Sequence, residues 1–329
     1  MVKEHDLLSV DKDINLYVPE LTKYHSDDNL LDHNTDTYLD RLYTYDEECC
    51  WQYSIRLNNK TEDTEYIYDN FNILPEDISV ADFDVLPITS KEKKKEAIEF
   101  IKKYEWLGTI TQYSTHYFGA YYKGILGGVT IFSMPNAFSK LLGDNTKDLE
   151  RLISRGACAS WTPKGLASSF LMACIKWMVQ NTQYRLFTAY SDPTAKELGT
   201  IYQACNFYYL GQKSGTTTRY INPYTGRIVS DRFFRQKTAY KKYAEELKIE
   251  WDKSWSNAHG MNWDNVPDEI EKQLRDFGKK KQKESKKIEY PSKHKYAYVL
   301  GNNKKETRQL RKIFEERNTI LPYPKQRGR

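Results

Sequence analysis

Two β-rich runs flank Lys123-Gly124 in the stretch TQYSTHYFGAYYKGILGGVTIFSMP (111–135). A Lys-Gly pair between runs of β-branched and aromatic residues marks a tight turn, so the stretch reads as a hairpin of two long strands. A hairpin with that much apolar surface is stable only when further strands or helices cover it. The flanking residues supply them in a definite order. Upstream, Ser90 is an N-cap, and Ala97, Ile98 and Ile101 fall on one helical face. Downstream, Leu149 to Ser154 reads as a strand, and the loop ASWTPKG leads into a helix from about Leu166 to Gln180. Tyr184 to Tyr190 is again a strand, ending at Ser191-Asp192-Pro193, with a helix from about Thr194 to Cys205. FYYLGQKSGTTTRYINP closes the series as a hairpin-like stretch. Helix, two strands, strand, loop, helix, strand, helix, two strands is an α/β order.

The outer parts of the chain are read less sharply. Before Thr89, the short pieces Cys50 to Ile55 and Tyr66 to Tyr68 have the alternation of strands. Beyond Asp231, RQKTAYKKYAEELKIEW and PDEIEKQLRDFGKKKQKESKK are helical. Trp251, Trp255 and Trp263 between them either stack on bases or pack a helix onto the body. KHKYAYVLGNNKKETRQLRKIFEERN is a strand, a turn and a helix. The expected organisation is an acidic N-terminal region over 1–90, a catalytic core over 91–235, and a basic C-terminal extension over 236–329. Residues 293–329 of the extension are expected to pack back on the core.

Charge sharpens that division. Residues 1–90 hold 6 Lys/Arg and 21 Asp/Glu, a net of −15, whereas 271–329 hold 19 and 7, a net of +12. The overall +5 conceals both. A basic tail of this kind either is a solvated face or meets phosphates, with the acidic head docked against it as a screen. A mean hydropathy of −0.77 and the absence of any long apolar run exclude an integral membrane protein. The acidic start lacks the apolar core of a secretory signal. Five cysteines without CxxC spacing fit a reduced, cytoplasmic compartment.

The chemistry begins at the loop before the central helix. Lys164, Gly165, Leu166, Ala167 and Ser168 stand where a strand passes into a helix. A helix N-terminus offers unpaired N–H groups and the positive end of a dipole, and small residues let a pyrophosphate approach. An ordinary strand-to-helix turn explains the same residues, and no GxxxxGK[ST] motif is present. The element order resembles that of the GNAT acyl-CoA transferases, whose mixed central sheet is flanked by helices. That resemblance implies that the loop holds the pyrophosphate of acetyl-CoA or another acyl-CoA, with Arg151 a further candidate for a phosphate.

The next strand and helix carry a more specific likeness. Asp192-Pro193, Gly199-Thr-Ile-Tyr-Gln-Ala-Cys-Asn-Phe207 and Tyr209-Leu-Gly211 resemble the signature of the Mom family of bacteriophage DNA-modification proteins, a divergent GNAT branch. LERL at Leu149–Leu152, Pro163-Lys164, KHKYAYVLG and LPYPK extend the likeness over roughly 95–325. The sequence departs from the family pattern in three places: Pro163-Lys164-Gly165 stands for Pro-Lys-Asn, Lys196-Glu197 for a Gly-His pair, and Glu105-Trp106-Leu107 for His-Tyr-Ser. A role for either histidine is therefore not carried over, and His116 on a strand reads as structural.

The resemblance implies acylation or a related modification of the exocyclic amine of adenine in DNA, protecting it from restriction in a host bacterial cytoplasm. Delocalisation makes that amine a poor nucleophile, so a carboxylate must accept its proton. Asp192, at the end of a central strand, is the candidate, with a helix N-cap as its alternative role. Tyr202 is the candidate to protonate or orient a leaving thiolate, with core packing as its alternative. An enzyme acting on duplex adenine must flip the base, with phosphate contacts from the basic tail offsetting that cost. The six histidines form no HxH or HxxxH cluster, so the sequence indicates no preformed metal site. Two other readings stay open: a GNAT acyltransferase acting on a protein or small molecule, and a catalytically silent DNA-binding or virion-associated module.

Overall fold

The structure is a computed structural model that describes residues 50–324, apart from 112, 136, 213–215, 227 and 258–259. Most of the acidic head, residues 1–49, thus lies outside the described residues, and so does the terminal KQRGR. The elements in chain order are α1 (Trp51–Phe71), β1 (Phe83–Ile88), α2 (Lys91–Tyr104), β2 (Ser114–Tyr122), β3 (Ile125–Ser133), β4 (Glu150–Cys158), α3 (Leu166–Asn181), β5 (Leu186–Ser191), α4 (Thr200–Ala204), β6 (Tyr208–Gln212), β7 (Thr216–Ile221), β8 (Ile228–Val229), α5 (Lys237–Glu246), β9 (Ser256–Asn257), β10 (Gly260–Met261), α6 (Asp268–Glu284), β11 (Lys287–Pro291), β12 (His294–Val299) and α7 (Lys304–Arg317).

The chain divides into two compact units, the second being an insertion. Among the described residues the first holds everything up to β6 and everything from Lys293 onward; the second runs from β7 to Ser292. The unit boundaries thus fall at 213 and 293. Two expectations are corrected. The pieces 50–55 and 66–68 are not strands but the two ends of α1, whose Trp51, Ile55 and Ile67 are buried at helical spacing. FYYLGQKSGTTTRYINP is not a hairpin: β6 pairs with β12, while β7 pairs with β11 and β8 in the other unit.

The first unit is built on a seven-stranded mixed sheet in the order β1-β2-β3-β4-β5-β12-β6. Every pair is antiparallel except β4 and β5. This is the GNAT-like sheet that the element order implies. Lys123 and Gly124 make the β2–β3 turn, both at positive φ, and Ser90 Oγ accepts from Lys93 N at 3.2 Å as the cap of α2. The apolar α3 crosses from β4 to β5, burying Phe170, Leu171, Cys174 and Ile175 against Phe118, Phe132 and Phe187. α2 packs with Val129, Ile131 and Ala157 in a second cluster. α7 brings Phe314 onto Leu186, Ala297 and Val299.

β4 and β5 pair only from Glu150–Leu186 to Ile153–Ala189. Beyond that point β4 runs on to Cys158 and β5 to Ser191 without pairing with each other. A bulge marks the divergence: Ile131 faces Arg155 and Phe132 faces Ile153, so Ser154 is the extra residue. The two strands therefore open into a wedge at their C-terminal ends.

The second unit has its own sheet, β11-β7-β8, and its own core of Val229, Phe234, Tyr243 and Leu274 under α5 and α6. Its tryptophans pack: Trp255 is buried, and Trp251 and Trp263 lie against that core.

Gly199 joins β5's end to α4. It sits at φ 67°, and a Cβ there would stand 2.5 Å from the Tyr296 ring. Gly199→Ala combines left-handed strain with a clash on a buried aromatic, so it is expected to destabilise the protein by about 2–4 kcal/mol. Urea unfolding midpoints of the two proteins test this.

Candidate functional site

Three stretches meet at the open end of β4 and β5. The first is the loop into α3. Gly165, at φ 94°, is the residue before the helix, and no side chain caps this end. Lys164 and Gly165 are exposed, and Ala167 and Ser168 are half-buried. Leu166 N donates to Pro163 O at 3.2 Å and Ser169 N to Gly165 O at 3.1 Å, and the first turn receives no side-chain cap. Five of the expected phosphate-cradle residues, Lys164 to Ser168, thus stand together at one helix end. Arg151 does not join them. It lies near the start of β4, roughly 20 Å of extended chain from that strand's end, with its guanidinium stacked on the Tyr184 ring 3.7 Å away. His116 is its neighbour there, with its own ring against Tyr184. Burial, and secondarily the charge of Arg151, hold that imidazole below its usual pKa.

The second stretch follows β5. Asp192 is 5% exposed. Its Oδ1 accepts from Thr194 N at 3.0 Å, capping the short turn Pro193–Ala195. Its Oδ2 pairs with Lys293 Nζ at 3.1 Å. The capping role is therefore real, and an ion pair is added to it. Lys196 then takes up the left-handed conformation, φ 57°, which directs Glu197 back toward the strand end. Glu197 Oε2 accepts from Asp192 N at 3.3 Å, and Oε1 accepts from the indole Nε1 of Trp106 at 2.8 Å. Burial pushes the Glu197 carboxyl up from its ordinary range to about 7; the Asp192 charge acts in the same direction, while its two N–H donors and Lys293 oppose it.

The third stretch, Glu105 to Thr109, crosses from α2 to that cluster. Glu105 lies 3.4 Å from Arg155 Nε, and Arg155 also donates to Thr109 O. Arg155 stands on β4 just past the bulge. Tyr202, in α4, packs between Phe207 and Tyr296, with ring centroids 5.3 Å away in each case. Burial, reinforced by the charges of Glu197 and Glu105, drives the Tyr202 phenol well above its ordinary pKa. It is a proton donor, not a phenolate, at neutral pH. α4 is joined to the first stretch through Cys205 Sγ, 3.6 Å from Ser168 O. On the neighbouring β12, His294 faces Ser191 in register and shares a 2.8 Å hydrogen bond with Tyr209. Burial lowers its pKa, partly offset by Asp192.

The fold thus brings Asp192 and Tyr202 to the same end of the wedge as the α3 N-terminus. It adds Glu197, Trp106, Glu105, Arg155 and Lys293, which sequence reasoning did not select. A signal for two of these was present: Glu105 and Glu197 stand at the two positions where the family pattern has histidine. Cys158, Cys174 and Cys205 offer no competing nucleophile. Burial pushes Cys205 up to about 11 and Cys158 up to about 12, and raises Cys174 as well, so each stays a thiol. Among the described residues, no group of three or more His, Cys, Asp or Glu could hold a metal ion. No helix of the described residues is long and apolar enough to cross a membrane.

A mixed sheet opened between two parallel strands, with a helix N-terminus on one side and titratable groups on the other, is the framework of a GNAT-like protein. The chain belongs to the Mom protein family, whose model matches residues 88–325. No curated protein matches the chain significantly. Among solved structures, it is similar to a GNAT family acetyltransferase from Elizabethkingia anophelis with acetyl-CoA bound, at 12% identity, 67% of this chain, 99% of that one and a TM-score of 0.29. It is also similar to the ribosomal-protein-S5-alanine acetyltransferase from Vibrio fischeri, at 14% identity, 45% and 90% coverage and a TM-score of 0.32. A Bacillus subtilis acetyltransferase in complex with CoA shares 9% identity over 66% and 97%, with a TM-score of 0.29. Scores this low transfer nothing to this chain, whose fold is read from its own strand order.

Glu197 makes stability depend on pH in a stated direction. Its folded pKa, about 7, lies above the ordinary 4.5. The folded state therefore holds that proton more tightly, and the stability so gained is lost as pH rises from about 4.5 to 7. Relative to the non-titrating Glu197→Gln variant, the wild type should lose roughly 3 kcal/mol across that window. Paired denaturation curves at pH 4.5 and 8 measure it. The indole N–H resonance of Trp106 should also titrate near pH 7 in the wild type only.

Proposed function

We propose that the protein transfers an acyl group from an acyl-CoA to an amine, and that the amine is the exocyclic N6 group of adenine in DNA. The observation that carries this reading is the Glu197 carboxylate, held beside Asp192 at the open end of the wedge, in a chain of the Mom protein family. The residues present suit an acyl-CoA. The uncapped N-terminus of α3, with the exposed Lys164, suits a pyrophosphate. Beyond Ile153 and Ala189 the facing edges of β4 and β5 have no strand partner among the described residues, which leaves backbone groups for an amide-bearing arm. When bound, the thioester supplies an electrophilic carbonyl and a thiol leaving group.

The protein's own part is to position and to move protons. Asp192, tied to Thr194 and Lys293, fixes the turn and presents its backbone N–H to Glu197. Glu197 accepts the proton that the amine nitrogen loses as its bond to the acyl carbon forms. Each of its oxygens keeps acceptor capacity beyond the one hydrogen bond it receives. A base that titrates near 7 is both deprotonated often enough and basic enough to serve at neutral pH. Tyr202 donates its phenolic proton to the departing thiolate as the carbon–sulfur bond breaks. Burial of the cluster strengthens each of these interactions.

DNA contact in this reading belongs to the inserted unit and the basic tail. Lys281 is committed to Glu246 at 2.6 Å, but Lys279 and Lys280 are largely exposed beyond their contacts with Asp276 and Glu284. Modified adenine would protect DNA from restriction in the host cytoplasm.

Mass spectrometry of nucleosides from DNA of expressing cells tests the function. A new adenine species is expected with the wild type. Tyr202→Phe and Glu197→Gln should each reduce it by about 100-fold or more, the usual contribution of a positioned acid or base, and Asp192→Asn, which removes the charge paired with Lys293, should reduce it as well. Unmodified nucleosides together with acylated protein or small-molecule amines would favour the alternative acceptor class.

Charge reversal at Lys279, Lys280 and Lys283 tests the DNA surface. The slope of log affinity against log salt should fall by up to about 3, since each lost phosphate contact removes about 0.9. An unchanged slope places the DNA surface elsewhere.

A further inference from the structure

Helix α1 lies upstream of the residues that match the family, 88–325, and belongs to the acidic head. It nonetheless touches two of the three stretches of the site. On the loop into α3, Arg56 donates to Ser160 O at 3.3 Å and to Thr162 O at 3.1 Å. Asp63 Oδ2 accepts from Ser160 N at 2.9 Å. Asp63 Oδ1 accepts from Tyr104 Oη at 2.7 Å, and Lys103 stands 3.6 Å away. On the other stretch, Gln52 accepts from Trp106 N at 3.2 Å and donates to Tyr104 O at 2.6 Å, while Trp51 meets the Trp106 ring edge-on at 5.3 Å.

We infer that α1 is a strut that sets the cofactor loop and the Trp106–Glu197 contact in one geometry, with Arg56 and Gln52 as positioning residues for the two substrates. This rests on the proposed acyl-CoA reading for its consequence, though not for its geometry. Irregular backbone has no ladder to hold it. A guanidinium on the Ser160 and Thr162 carbonyls and a buried carboxylate on the Ser160 N–H fix the segment Ser160 to Thr162 from both polarities. That segment leads directly to Pro163-Lys164-Gly165, so its position decides where the α3 N-terminus is presented. Trp106 is held on its backbone by Gln52 and gives its indole N–H to Glu197, so the same helix orients the base. The burial of Asp63, which raises its pKa against the pull of Tyr104 and Lys103, agrees with a carboxylate retained for its hydrogen bonds. The strut gives part of the acidic head a purpose other than screening DNA.

The test uses the full chain with Arg56→Ala, Arg56→Lys and Gln52→Ala. Arg56→Ala should weaken CoA binding, measured by calorimetry, by about 10-fold, the scale of a charge-assisted hydrogen bond; Arg56→Lys should recover part of it. Amide exchange at 160–166 should quicken in Arg56→Ala while β3 and the middle of α3 keep their protection. Gln52→Ala should leave CoA affinity unchanged and lower turnover. Wild-type CoA affinity and unaltered exchange in Arg56→Ala would overturn the strut. So would exchange that quickens equally throughout the unit, in both Arg56 variants, since that is a general loss of stability. A wild type that binds no CoA sinks the donor reading instead, and exchange alone then decides the strut.

Discussion

Everything functional in this chain depends on the four residue pairs over which β4 and β5 hold together, and on their parting afterwards. A parallel pair inside an otherwise antiparallel sheet must be joined by a crossover, here α3, which begins where β4 ends. The bulge at Ser154 lets β4 keep its partnership with β3 while it turns from β5. One local irregularity thus produces two unpaired backbone edges, and the crossover delivers a helix N-terminus to the same end. The helix dipole and the free edges are consequences of topology before any side chain is considered.

The side chains then settle a conflict that topology creates. Polar groups crowd the floor of the wedge, where water is scarce, and each needs a partner. Asp192 obtains a backbone N–H and an ammonium; Glu105 obtains a guanidinium; Glu197 obtains two neutral N–H donors. Those neutral donors offset the burial of Glu197 only in part, so its carboxyl is raised to about 7. In the proposed reaction Asp192 organises the turn, and Glu197, five residues on, carries the proton.

The elements around Lys123-Gly124, Ser90 and Leu166 were legible because each is specified by neighbours in sequence: a turn pair, a cap, an apolar run. What escaped depends on contacts distant in sequence. The stripe of α1 is broken by Asp63, buried for its bonds to Tyr104 and Ser160, so its two aromatic ends looked like short strands. β6 and β7 each alternate as strands should, but the chain leaves one unit for the other between them, and pairing partners cannot be read from alternation. Asp192, Tyr202 and Lys164 to Ser168 are candidates that local motifs suggest. Trp106, Arg155 and Lys293 reach the site from other elements, and no local pattern marks them. Arg151 was chosen for its charge beside the strand motif, whereas its position on β4 gives it to Tyr184.

The two departures at histidine positions acquire a physical meaning from the same geometry. Where the pattern has Gly-His, this chain has Lys196 in a left-handed conformation followed by Glu197. A glycine adopts that φ without strain, so a Gly in the pattern suits the turn that Lys196 makes here. An imidazole titrates near neutrality without help, whereas a carboxyl does so only when burial raises it. Burial brings Glu197 to about 7, into the range an imidazole occupies unaided. In the proposed reaction the chemical requirement at this position is a group that exchanges a proton near pH 7, and residue type is secondary to it. Trp106, which follows the other departing position, donates to Glu197, so the two substitutions lie within one hydrogen-bonded unit.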